Sequence, residues 1–103
     1  MQSHIIYYFY NLLNEHQIEL IETEMKIYEK DLILDANYFR FMGHYSFVKN
    51  SSIEEAIGHF EKAIDIVEGF MEKREFSESL LRFLSEQNNP LYKNYFLKYE
   101  EYL

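Results

Sequence analysis

The sequence predicts an all-α fold of six helices paired as three antiparallel hairpins, and three observations predict it. Apolar residues recur at steps of three and four through most of the chain, the period of one helical face. The 103 residues include only three glycines and one proline, too few for the tight turns that an all-β plan requires. The apolar pattern also repeats with a spacing in the mid-thirties, the length of a two-helix unit. A chain of this length fits one domain, residues 1–103, able to hide roughly two-thirds of its unfolded surface on folding.

Ile5, Tyr8, Phe9 and Leu12 share one helical face, widened by Ile6, Tyr10 and Leu13, and predict a helix from Gln2 to Asn14. In IELIETEMKIYEK, Ile18, Ile21, Met25 and Tyr28 form one stripe, while Glu15, Glu19, Glu22, Glu29 and Lys30 lie largely opposite. That is a strongly amphipathic second helix. The short break around Asn14–His16 folds the pair into a hairpin over residues 2–30.

The third helix carries Leu34, Tyr38, Phe39, Phe41, Met42, Tyr45 and Val48, with Asp31 or Asp35 as its cap. The fourth has the sharpest start signal in the chain: Ser51 stands three residues before Glu54, and Ser52 three before Glu55, so either pair makes a capping box. Ile53, Ala56, Ile57, Phe60, Ala63, Ile64 and Val67 then run as an unbroken stripe that fades near Gly69 and Met71. These two helices form the hairpin 33–70. A fifth helix is read from Phe76, Leu80, Leu81 and Leu84. A sixth starts with Asn89 as N-cap and Pro90 at the first helical position, and Tyr92, Phe96 and Tyr99 line its face. The third hairpin therefore spans 75–102.

Composition excludes several function classes. The chain is 48% hydrophobic, with ten Tyr and nine Phe, far too apolar to stay disordered. A net charge of −8, with no basic cluster longer than Lys73-Arg74, repels both nucleic-acid phosphates and an anionic membrane surface. No apolar run approaches the roughly 20 residues that a bilayer span needs. The start MQSHIIYYFY lacks the basic flank of a secretory signal, so a cytoplasmic location is expected. With no cysteine, disulfides, thiolate chemistry and cysteine-ligated zinc fall away. His4, His16, His44 and His59 form no metal-ligand spacing, and the glycines at 43, 58 and 69 stand singly in helical pattern, which leaves no phosphate-binding loop. Paired carboxylates such as Glu22/Glu24 and Glu54/Glu55 read as solvated helix charge. No enzymatic activity and no cofactor are expected.

The repeat is explicit. Ile18, Ile21, Met25 and Tyr28 align with Ile53, Ala56, Phe60 and Ala63 at an offset of 35, and Ile5, Tyr8 and Phe9 align with Phe39, Met42 and Gly43 at 34. One extra residue near Lys49-Asn50 reconciles the two. Within it, the small–large–small stripe Ala56, Phe60, Ala63 asks for a second helix packed unusually close.

On these residues, YFRFMGHYSFVKNSSIEEAIGHFEKAI resembles a tetratricopeptide repeat. Phe39 stands at the family's large aromatic, Met42-Gly43 at its Leu-Gly, and Ala56, Phe60 and Ala63 at the signature of its second helix. The resemblance implies an α-α superhelix in which Gly43 and Ala56 mark the closest approach of the paired helices. The extra turn residue leaves the family's later aromatic at Ser46 or Phe47, out of clean register, and the first and third units match by apolar period alone. More narrowly, the run is similar to repeats in receptors for secreted peptide pheromones of low-GC Gram-positive bacteria, the Rap/PlcR/Rgg-like group, whose whole members carry more repeats and an added N-terminal helical module.

That resemblance implies function as well. Asn37, Arg40 and His44 fall on one face of the third helix, which in this family lines a concave groove and holds a peptide's backbone or carboxylate. Asn offers a donor and an acceptor to an extended backbone, and Arg clamps a carboxylate with two bonds. A solvated polar stripe has the same spacing. The expectation is a non-enzymatic module that binds a protein or peptide segment, as in bacterial quorum sensing. The alternative is a self-association domain, a homodimer joined by the aromatic ends YYFY at 7–10 and YKNYFLKYEEY at 92–102. The resemblance also implies a third reading, a regulator of response-regulator dephosphorylation.

Overall fold

The computed structural model describes residues 2–32 and 34–103, with side chains from His4 onward. Among these residues there are six α-helices and no strand: α1 (Gln2–Asn14), α2 (Ile18–Leu32), α3 (Ala36–Asn50), α4 (Ile53–Ile66), α5 (Phe70–Glu86) and α6 (Tyr92–Tyr99), closed by a 3-10 turn at Glu100–Tyr102. Among the described residues no helix is long and apolar enough to cross a membrane. The all-α class read from the sequence is the class observed.

The helix ends explain how so glycine-poor a chain turns. α1, α3 and α5 are each followed by a non-glycine residue in the left-handed region: His16 (φ 58°), Ser51 (φ 54°) and Asn88 (φ 50°). After α1, the Gln17 N–H donates to Leu12 C=O at 2.9 Å and His16 N–H to Leu13 C=O at 3.0 Å. Asn89 and Asn88 repeat that pattern onto Leu84 and Ser85, at 3.0 Å each. These are Schellman closures, which satisfy the last helical carbonyls while reversing the chain. Ser51 donates its N–H to Phe47 C=O at 2.8 Å, the simpler left-handed closure. Helix starts are capped by side chains: Asp35 Oδ1 accepts from Asn37 N–H at 2.8 Å, and Ser52 Oγ accepts from Glu55 N–H at 3.1 Å. Ser52, not Ser51, is thus the cap of α4.

Several expected boundaries move. The predicted start of the second hairpin at Ile33 lies outside the described residues. α5 begins at Phe70, six residues before the predicted Phe76, because its first turns face solvent and carry no apolar stripe. α6 begins at Tyr92 instead of Pro90, since Asn89 Oδ1 accepts from Leu91 N–H at 2.8 Å in a local turn. Lys49 and Asn50 are not turn residues but the last two residues of α3. Helix α3 has 15 residues against 13 in α1, while the link to the following helix shortens from Glu15–Gln17 to Ser51–Ser52. Two residues gained in the helix and one lost in the turn change the repeat offset from 34 to 35.

The apolar residues gather into two clusters with α3 between them. One joins Ile6, Phe9, Leu12 and Leu13 of α1 to Ile21 and Leu32 of α2 and to Tyr38, Phe41 and Tyr45 of α3. The other joins Ala56, Ile57, Phe60 and Ile64 of α4 to Phe76, Leu80, Phe83 and Leu84 of α5 and Tyr99 of α6. Phe39 packs against both. α3 and α4 make the tightest pair because both contribute small residues. A Cβ on Gly43 would stand 2.6–2.9 Å from three Phe60 ring atoms, closer than any real side chain tolerates. Ala56 and Ala63 are fully buried. α1 packs on α3, and α3 meets α5 through Arg40–Ser79 and His44–Phe83, so the first helices of the hairpins lie side by side. α6 is tied back to α4 where Lys98 and the Tyr99 hydroxyl both bond Glu61. The molecule measures 37 × 28 × 17 Å, and its short dimension suits two layers of helices packed about 8–10 Å apart.

Candidate functional site

Three helices side by side leave a furrow between the outer two, floored by the middle one. Its narrower part, a hollow of about 270 Å³, lies among Tyr10 of α1, Arg40 and His44 of α3 and Ser79, Arg82 and Phe83 of α5. Its wider part, about 430 Å³, opens between Leu13 and Asn14 on the α1 bank and Phe83, Glu86 and Gln87 on the α5 bank, over Phe47 and Val48 of α3. Tyr10, His44, Phe83 and Glu86 line both parts. The two hollows are one trough.

His44 is its centre. The imidazole stands edge-on to Phe60 at 5.1 Å and 89°, to Phe83 at 6.1 Å and 84°, and to Tyr10 at 6.0 Å and 63°. Burial among these rings pushes its pKa below the usual histidine value of 6.5, while the Glu86 carboxylate opposes the shift and Arg40 adds to it. The same burial raises the Tyr10 hydroxyl, against the pull of Arg40 beside it. At neutral pH His44 is an uncharged imidazole in an aromatic frame, able to donate from one nitrogen and accept at the other.

Arg40 serves the scaffold first. Its guanidinium donates to Ser79 Oγ at 3.1 Å and to Asn37 Oδ1 at 2.7 Å, and lies over the Phe76 ring at 4.5 Å. Glu75 sits farther off at 3.7 Å and is 63% exposed, so solvent screens most of that attraction. Ser79 in turn donates to Glu75 C=O at 3.2 Å. Arg40 is therefore a strap from α3 to α5, one edge of which shows in the trough. Asn37 orients that strap and lines a separate hollow beside Val67, Glu72 and Phe76. Of the three residues read as one peptide-facing stripe, the structure brings Arg40 and His44 into the trough and sets Asn37 beyond its end. Gly43, Ala56, Phe60 and Ala63, read as packing positions, are all buried between or beside α3 and α4.

Sequence reasoning missed most of the lining. Tyr10 was legible in principle, because it precedes His44 by the same 34 residues that separate Ile5 from Phe39. Arg82, Phe83 and Glu86 were not, since the third hairpin's sequence carries no clear repeat signature. Asn14 and Gln87 stand on opposite banks, with no hydrogen bond from either side-chain amide among the described residues. They present donors and acceptors across an apolar floor. Of the remaining histidines, His16 lines the wider part of the trough, and the His59 imidazole, on α4, has its pKa lowered by burial against the opposing pull of Glu55. Among the described residues, no three His, Asp or Glu side chains gather to hold a metal ion.

Compared with family models, with curated proteins and with solved structures, the chain matches none.

Proposed function

We propose that this chain is a non-enzymatic recognition module that takes an extended peptide or protein segment into the trough between α1 and α5. The observation that carries the reading is the continuity of the two hollows across Tyr10, His44, Phe83 and Glu86. A trough with an apolar floor and polar banks suits an extended chain, whose side chains and backbone amides alternate in what they need. Phe47 offers the floor, Leu13 and Phe83 the lower, apolar parts of the banks, and Asn14 and Gln87 offer amides beside them. Arg82 gives the narrow end one cation without an ion pair among the described residues. The placement of this trough along the first helices of successive hairpins accords with a tetratricopeptide-type superhelix, and with it a role in bacterial peptide signalling. Chemistry weighs against catalysis: among the described residues, Glu86 is the one carboxylate lining the trough, and the central imidazole is enclosed by rings with no nucleophile hydrogen-bonded to it.

Selection of displayed random heptapeptides on the immobilised protein, followed by chemical-shift mapping with an enriched peptide, tests the reading. Shifts should concentrate on Tyr10, His44, Phe47 and Phe83. Replacing Asn14 or Gln87 with Ala should weaken that peptide about two- to tenfold each, the worth of a backbone hydrogen bond. If no peptide is enriched, or the shifts lie on another face, the trough is not a binding site.

A further inference from the structure

The adjoining side of α5, which shares Arg82 and Glu86 with the trough, carries a second feature. Residues 78, 81, 82, 85 and 86 form one stripe of that helix, and with Tyr92, Phe96 and Leu103 they enclose a cleft of about 370 Å³ at the C-terminal end of the molecule. Tyr92 and Phe96 stack at 6.3 Å and 22°, yet remain 39% and 37% exposed, and Leu97 beside them is 60% exposed. An aromatic pair ordered by stacking but open to water is a ready-made contact surface.

The charges on this stripe identify what covers it. Arg82 and Glu86 are four residues apart on α5, a spacing that allows an ion pair within the helix. They form none, and neither side chain has another salt-bridge or hydrogen-bond partner among the described residues. Arg74 and Glu78, four residues apart about two turns earlier, do pair at 2.9 Å. A two-fold axis passing between positions 82 and 86 lays two α5 helices antiparallel, with Arg82 of each copy opposite Glu86 of the other. One surface then satisfies itself twice, the hallmark of an isologous interface. Ser85, small and between the two charges, lets the helices approach.

We infer that the α5–α6 end face is a homodimer interface, centred on reciprocal Arg82–Glu86 ion pairs and flanked by the stacked Tyr92–Phe96 rings. The partner is a second copy of this chain. The inference does not rest on the peptide-binding reading: Arg82 and Glu86 border both the trough and this cleft, but Asn14 and Gln87, whose substitution tests the trough, lie off the cleft.

Charge reversal decides it, and both residues are exposed, so neither substitution threatens folding. Sedimentation velocity of the intact chain should show a monomer–dimer equilibrium. Arg82→Glu and Glu86→Arg should each raise the dissociation constant at least about tenfold, since each sets two like-charge pairs across the axis. An equimolar mixture of the two variants should recover the dimer as a heterodimer, with every pair again opposite in sign. A monomer at millimolar concentration overturns the inference. So does a dimer indifferent to either reversal, which would place the interface elsewhere, for instance at Tyr7, Tyr8 and Ile27 of the other end. Variants that dissociate but do not recover on mixing overturn it equally.

Discussion

At the scale of single residues, two side chains hold polar groups where the fold gives them little return. Ser77 lies fully buried in α5, and its hydroxyl has no hydrogen-bond partner. An unpaired buried hydroxyl forfeits its hydration, and serine is also a poorer helix former than alanine. Ser77→Ala should therefore stabilise the protein by about 1 kcal/mol, read as a rise in the urea midpoint. A drop would mean that the hydroxyl is satisfied. His44 is the second case. Burial lowers its pKa in the folded state below 6.5, so the unfolded chain binds the proton more readily. Stability from this group is present above 6.5 and is lost as pH falls below it. His59 is shifted the same way by burial and adds to the loss. Tyr10, Arg40 and Glu86 face His44, and of these only the Glu86 charge favours the imidazolium. The urea midpoint should fall between about pH 7.5 and pH 5.5, and His44→Phe, which keeps a ring in the aromatic frame, should flatten that fall. An equally steep fall in the variant would exclude His44 as the source. What the sequence offered here was the position of His44 on α3; its enclosure depended on Phe83, 39 residues away in a helix without a repeat signature.

At the scale of elements, legibility followed how many sides of a helix are buried. α1 and α4 each bury one broad face, and their apolar stripes gave bounds close to those observed. α3 is buried on two sides, with Phe41 and Tyr45 toward α1 and α2 and Phe39, Gly43 and Phe47 toward α4 and α5. Apolar residues spread around such a helix cancel as a stripe, which is why its start was ambiguous between Asp31 and Asp35. The turns were illegible for a different reason. His16, Ser51 and Asn88 take a backbone conformation that residues with a Cβ adopt at a cost. Nothing in a histidine or a serine announces that choice. It is imposed by the carbonyls left open at each helix end and by the burial gained when the next helix folds back. The strap from Arg40 to Ser79 was hidden likewise: the periodicity placed Arg40 on a polar stripe, but only the proximity of α5 decides whether that stripe meets solvent or another helix.

At the scale of the whole molecule, the two clusters are unequal, and the inequality sets which part opens first. The α4–α5 side has Gly43 seated on Phe60, alanines buried at positions 56 and 63, and α6 fastened to α4 through Glu61. The α1–α2 side is held more lightly. Of the 15 residues of α2, only Ile21 and Leu32 are buried, while Leu20 and Ile27 are exposed. Its polar ties to α3 include the Tyr45 hydroxyl and Lys49, both on Glu22, a carboxylate 43% exposed. Ties so open to water add little stability. Local opening free energies follow buried apolar contact, so α2 should detach before α3, α4 and α5 lose their packing. The trough needs α1 as one bank, and α1 keeps its contact with α3 through Phe9 on Phe41 at 5.5 Å and Tyr10 on Phe41 at 5.1 Å. Opening of α2 alone thus leaves the trough's lining in place. Native-state hydrogen exchange should give α2 amides an opening free energy well below those of α4 and α5, with α1 between. Equal protection across all six helices would show a single cooperative unit instead, and the light attachment of α2 would then carry no dynamic consequence.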